Sequence, residues 1–140
     1  MARQRRRPPA VGGTLVLDAD GVTKAAANDP RVQAFLTSAR NRDARVVVSA
    51  ITLADVVRGG RRDVSVHRVL SRVSQVPVTT AIARTAGELL GATRLDDATI
   101  DAVVAATAMS EPRPVVILTS DPDDLGRLTS TDRSIAVRKV

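Results

Sequence analysis

Three short apolar runs constrain this chain more than any other feature: residues 14–17 (TLVL), 45–48 (RVVV) and 115–118 (VVIL). Each is continuous rather than alternating, is rich in β-branched residues, and ends at once in a polar residue, namely Asp18, Ser49 and Thr119. Runs of this kind read as parallel strands covered on both faces.

Helical stretches separate them. Asn28-Asp29-Pro30 offers a cap and a proline at the first helical position, opening a helix to about residue 42 with Val32, Phe35, Leu36 and Ala39 on one face. Ser49 or Thr52 starts another, which carries Ile51, Leu53, Ala54 and Val57 and stops at Gly59-Gly60. A third spans about residues 63–74 with Val66, Val69, Leu70 and Val73 as its stripe, followed by a brief strand at 76–78. Thr79 or Thr80 caps a helix ended by Gly91, and Asp96 or Asp97 caps one over 98–109, which Pro112 and Pro114 forbid from continuing. Asp121-Pro122 opens a short helix to about residue 128, and residues 135–138 form a last edge strand. Asp18 followed by Gly21 is compatible with a simple turn.

Strands alternating with helices predict an α/β fold: a three-layer sandwich whose mainly parallel central sheet of four to five strands is flanked by helices. At 140 residues, with no repeat or linker, residues 14–140 form a single domain. In such sheets the reactive crevice lies beyond the carboxyl ends of the strands, where Asp18 and Asp121 fall.

Charge divides the chain unevenly. The net +6 includes Arg3, Arg5, Arg6 and Arg7, so residues 1–13 read as a flexible basic arm and the remainder carries only +2. No apolar stretch approaches a membrane span or a secretory signal, and a cytoplasmic location is expected. Composition then excludes chemistries. With no Cys, Trp or Tyr and the single histidine His67, there is no thiol catalysis, Cys-ligated zinc, His-rich metal site or aromatic platform for stacked bases.

What remains is carboxylate chemistry, and the acids are thirteen Asp against two Glu. Aspartate is the poorer helix former and favours caps, turns and metal ligation. Asp101 lies in an almost wholly apolar helical segment, TIDAVVAATAM, where an ionised carboxylate is costly without a cleft or a cation. Asp55 likewise sits among Leu53, Ala54, Val56 and Val57. Asp97 precedes Asp101 by one turn and Asp124 follows Asp121 within one, like-charge spacings that cost roughly 0.2 to 0.5 kcal/mol each on a bare helix. Repulsion at several points suggests a hard cation, Mg²⁺ or Mn²⁺. Taken singly, Asp97, Asp121 and Asp124 are equally explained as caps.

The segments LVLDAD, VVVSAITLADVVRG, TIDAVVAATAM and VVILTSDPDDL, in this order, resemble the four acidic motifs of PIN-domain ribonucleases, with the nearest likeness to VapC-type toxins of bacterial toxin-antitoxin pairs. The resemblance implies a parallel sheet flanked by helices, one or two Mg²⁺ or Mn²⁺ ions, hydrolysis of RNA phosphodiesters, a small antitoxin partner and paired subunits. It places the four acids on Asp18, Asp55, Asp101 and Asp121, with Asp124 as a helper and Thr119 orienting the last carboxylate. Arg58, Arg61, Arg62, Arg68 and Arg72 are then candidates for phosphate contact or for the partner's acids, while His67 is a surface residue. The sequence departs from the family pattern in three places, one being the thirteen-residue arm before the first strand. Asp55 replaces a customary Glu and is one methylene shorter, so its reach to a metal would run through water, and Asp20 stands where Asn or Ser is frequent.

Three other readings compete. A PIN fold weakened at Asp55 could serve as a binding module, or the nuclease could act without an antitoxin. LDADGV also matches the nucleophile motif of haloacid-dehalogenase-like phosphatases, with Asp18 as nucleophile and Asp20 as acid/base. That family needs a lysine before its last acidic motif, and the only lysines here are Lys24 and Lys139.

Overall fold

The computed structural model describes residues 12–140. Its elements are, in chain order, β1 (Thr14–Leu17), α1 (Ala19–Ala26), α2 (Pro30–Asn41), β2 (Arg45–Ser49), α3 (Ala50–Val56), α4 (Asp63–Leu70), β3 (Ser74–Val76), α5 (Thr80–Thr93), α6 (Thr99–Met109), β4 (Val115–Thr119), α7 (Pro122–Leu128) and β5 (Ile135–Lys139). The five strands form one sheet in the order β3-β2-β1-β4-β5, and every pairing is parallel.

The central strands present alternate side chains to the two helical layers, which is why their runs are continuously apolar. Val16, Val47 and Ile117 face α5, α6 and α7, where they pack with Ile82, Ala105 and Leu125. Leu15, Leu17, Val48 and Leu118 face the other layer and meet Val22, Val32, Val56 and Leu70 of α1 to α4. Leu17, Ile117 and Leu118 are wholly removed from solvent, each contributing roughly 1.5 to 3 kcal/mol by transfer. Alanines 102, 105, 106 and 108 let the buried α6 lie close to the sheet.

Strand order carries the functional consequence. From β1 the chain winds outward through β2 to β3, then returns across the sheet to β4 on the other side of β1. The crevice between the carboxyl ends of β1 and β4 is therefore a topological switch point, the customary ligand position in open α/β sheets.

Several boundaries differ from the sequence reading. The supposed turn after Asp18 is the helix α1, held by its cap and by burial of Val22 and Ala25. Its Gly21 lets α1 approach β4, since a Cβ there would lie 3.2 Å from the carbonyl oxygen of Leu118. α4 ends at Leu70 because the chain must enter β3 at Ser74, opposite Val47, so the third strand lies at 74–76 and not 76–78. α5 runs through Gly91, which meets nothing within 4 Å, and stops instead at Arg94 in the left-handed conformation. α6 has Ala98 at its N-cap with no side-chain cap bond, so neither Asp96 nor Asp97 caps it. Residues 1–11 of the predicted arm lie outside the described residues. Gly12 and Gly13 belong to the packed body: a Cβ would fall 2.1 Å from the Arg42 carbonyl oxygen at Gly12 and 2.1 Å from that of Pro114 at Gly13. Among the described residues no helix is long and apolar enough to cross a membrane.

Candidate active site

Asp18 follows β1 directly and caps α1, its Oδ1 accepting from the Gly21 amide at 2.9 Å. Its amide donates to the Leu118 carbonyl at 3.2 Å, so the first acid sits on the seam between β1 and β4. Only 8% of it is exposed, and burial raises its pKa against the opposing effects of the Thr119 hydroxyl and the Gly21 amide. Across the seam, Asp121 caps α7, and Asp124 lies in that helix's first turn. Asp101 occupies the first turn of α6.

Asp101 reveals how these parts meet. Its pKa is pushed up to about 6, first by burial and then by the charges of Asp124, Asp18, Asp121 and Asp55. A carboxylate in the first turn of a helix ordinarily gains from the helix dipole, about 0.3 to 1 kcal/mol. Here burial and four negative neighbours outweigh that gain. The fold has thus brought the other three predicted acids, and Asp124, within electrostatic reach of Asp101 from the starts of α1 and α7 and from α3. Asp97 is exposed in the turn before α6.

Three details correct the sequence reading. Thr119, 2% exposed, accepts from the backbone amide of Asp121 at 3.1 Å, so it fixes that residue's main chain rather than its carboxylate, and it also touches Asp18. Asp55 is exposed near the end of α3, not buried on its apolar face. The arginines do not form one strip. Arg58 folds back on α3, donating to the carbonyls of Ala54 at 2.8 Å and Val57 at 3.0 Å. Arg61 and Arg62 are exposed in the following turn. Arg68 and Arg72 instead line a cavity of about 490 Å³ with Arg40, Gln33 and Leu36.

Sequence reasoning missed three polar residues. Ser120 donates its hydroxyl to Asp20, which ties α1 to the β4–α7 loop. Asp63 reaches back to the amides of Arg58 at 2.9 Å and Gly59 at 2.6 Å, closing the loop after α3 and holding its own pKa down. A carboxylate a few residues past a Gly-Gly pair was the available signal. Thr52 is 1% exposed and its hydroxyl has no hydrogen-bond partner. Nothing in the sequence marks it apart from other helical threonines.

The donor chemistry suits a hard divalent cation: oxygen ligands alone, with a mutual repulsion that a cation would relieve. Among the described residues, however, no three His, Cys, Asp or Glu side chains are grouped tightly enough to hold an ion unaided. Ligation by fewer carboxylates with water completing the shell is the arrangement typical of Mg²⁺.

A parallel α/β sandwich with carboxylates gathered at its switch point defines a class of strand-end acidic sites. The PIN domain profile matches residues 15–129, and the chain belongs to that family, whose members are nucleases. That membership removes the phosphatase reading of LDADGV; Lys24, moreover, bonds to the Val140 carbonyl. Comparison with curated proteins returned no match. Solved structures with the same fold include VapBC2 from Rickettsia felis bound to a DNA fragment from their promoter, at 13% identity and TM-score 0.71, covering 91% of this chain and 98% of that one. VapBC-1 from nontypeable Haemophilus influenzae is similar at 17% identity and TM-score 0.65, with 90% and 97% covered. FitAcB from Neisseria gonorrhoeae is similar at 19% and 0.61, with 88% and 95% covered.

Proposed function

We propose that this PIN domain is a Mg²⁺- or Mn²⁺-dependent endoribonuclease and the toxin of a type II toxin-antitoxin pair. The observation that carries the reading is Asp101, raised to about 6 by burial and by four further carboxylates from three other helices or their caps. A protein maintains such unfavourable proximity at functional sites more often than elsewhere. The resemblance of the four acidic segments to VapC-type toxins supports the toxin assignment, as does the shared fold of VapBC and FitAB chains.

Asp18, Asp101 and Asp121 would hold the cation in part through its waters, with Asp55 completing the site and Asp124 keeping it anionic. A bound Mg²⁺ or Mn²⁺ supplies polarisation of the scissile phosphate and a water of lowered pKa. Asp18 is immobilised by the Gly21 amide and the burial around it, and Thr119 fixes the main chain that carries Asp121. Asp20, bonded to Ser120, closes the mouth on the α1 side. Arg61 and Arg62, exposed in the turn after α3, would take backbone phosphates. A small antitoxin covers the enzyme, and the subunits pair.

The test is cleavage of structured RNA with Mg²⁺, with Mn²⁺ and with chelator, by the wild type and by Asp18→Ala and Asp101→Ala. Metal-dependent cleavage that falls on the order of 100-fold or more in both variants is expected. Wild type that cuts nothing, or variants that cut equally well, would overturn the nuclease reading and leave a binding module. Growth arrest on expression, relieved by co-expressing the neighbouring small protein, tests the toxin role.

A further inference from the structure

We propose that Thr52 and Asp55 hold a water between them on α3, through which the short second acid reaches a hydrated cation bound in the crevice of Asp18, Asp101 and Asp121. This rests on the metal-dependent reading above.

The starting point is the Thr52 hydroxyl, buried without a partner and alone in that state among the described side chains. Such a group costs about 1 to 3 kcal/mol unless something satisfies it. Threonines on helices normally bond to the carbonyl four residues back. Thr23, Thr93, Thr107 and Thr129 all do so here, at 2.7 to 2.9 Å. For Thr52 the residue four back is Val48, which lies in β2 rather than in the helix, so that route is closed. Ser49, its neighbour at the cap, is occupied with the Ile51 amide at 3.3 Å.

Location supplies the second argument. Val48 pairs in register with Leu17, so α3 starts beside Asp18 at the crevice. Residues three apart share a helix face, with Cβ atoms about 5 to 6 Å apart, a gap one water spans. Thr52 and Asp55 are so spaced. A buried water needs two to four polar partners; Thr52, Asp55 and the cation supply three. Asp55 is exposed near the end of α3, one turn beyond the buried Thr52.

The experiment measures Mn²⁺ binding by electron paramagnetic resonance, and metal-free stability by urea unfolding. The proteins are the wild type, Thr52→Val, Thr52→Ser, and Thr52→Val combined with Asp55→Glu. Thr52→Val should be at least as stable as wild type without metal, while its Mn²⁺ affinity falls about 10-fold, in the range of other outer-shell losses. Thr52→Ser should bind as wild type does. The double variant should recover most of the lost affinity, because glutamate spans the missing methylene without the water. The proposal fails if Thr52→Val binds Mn²⁺ normally, if it loses stability without metal, or if Asp55→Glu restores nothing. Wild type that binds no Mn²⁺ overturns instead the metal-dependent reading on which the proposal stands.

Discussion

Asp124 in the first turn of α7 exerts the strongest charge effect on Asp101 in the first turn of α6, ahead of Asp18, Asp121 and Asp55. The two helices are joined in the chain by β4 and pack side by side over the sheet. Each N-terminus carries a positive dipole end toward the acids, and this partly offsets the repulsion that the fold imposes.

Asp124→Asn should lower the pKa of Asp101 from about 6 without returning it to 3.8, because burial, the larger cause, remains. Carboxyl carbon NMR titration of metal-free protein reads this directly. An unchanged Asp101 titration would show that the two carboxylates do not interact.

Stability should depend on pH with a definite sign. Asp101 has a folded pKa raised from 3.8 to about 6, so the folded state binds more protons across that window and loses stability as pH rises through it. Asp18, also raised, acts in the same direction. Asp132, lowered to about 2 by Arg113 and Ser134, acts oppositely and at lower pH. Urea unfolding of metal-free protein at pH 7 should therefore find Asp101→Asn more stable than wild type. The gain should be on the order of 1 to 2 kcal/mol after allowance for solvent screening. Equal stability at pH 7 would contradict the assignment.

Divalent cation should reverse that penalty in the wild type. At a hundredfold excess over its dissociation constant, a ligand binding only the folded state adds about 2.7 kcal/mol, several degrees in Tm. Mg²⁺ or Mn²⁺ should raise Tm, chelator should abolish the rise, and Asp101→Asn should show little of it. A thermal shift identical in that variant would place the cation elsewhere.

Gly13→Ala tests the packing beneath the site. Gly13 has φ +78 and lies against the Pro114 carbonyl, so alanine meets both a left-handed backbone and a 2.1 Å clash. A loss of at least about 2 kcal/mol is expected in unfolding. Gly60→Ala, which meets nothing within 4 Å, serves as the control and should change little.

Much of the architecture was legible because its signals are local. The runs TLVL, RVVV and VVIL are strands because β-branched side chains favour them and two covering layers demand apolar residues at every position. Pro30 and Pro122 begin helices because their fixed φ and missing amide fit the first turn. Where local signals conflicted with packing, packing won. ADGVTKAA has glycine and threonine inside it and little intrinsic helicity, yet Val22 and Ala25 are buried and the segment is α1. Gly91 breaks nothing because α5 is held by Ile82 and Ala86, buried in the turns before it.

The sequence by itself determined which residue types any site here must use, since a chain with one His and no Cys leaves carboxylates to bind a metal, and it determined that Asp18 and Asp121 follow strand ends. Only the tertiary structure decided that Asp101 and Asp124 join them, that Arg68 and Arg72 turn away from Arg58, and that the Thr52 hydroxyl is left without a partner. The physical reason is distance. Burial, carboxylate repulsion and unsatisfied hydrogen bonding depend on atoms brought together through space by the β3-β2-β1-β4-β5 order, whereas strand and cap preferences depend on neighbours along the chain.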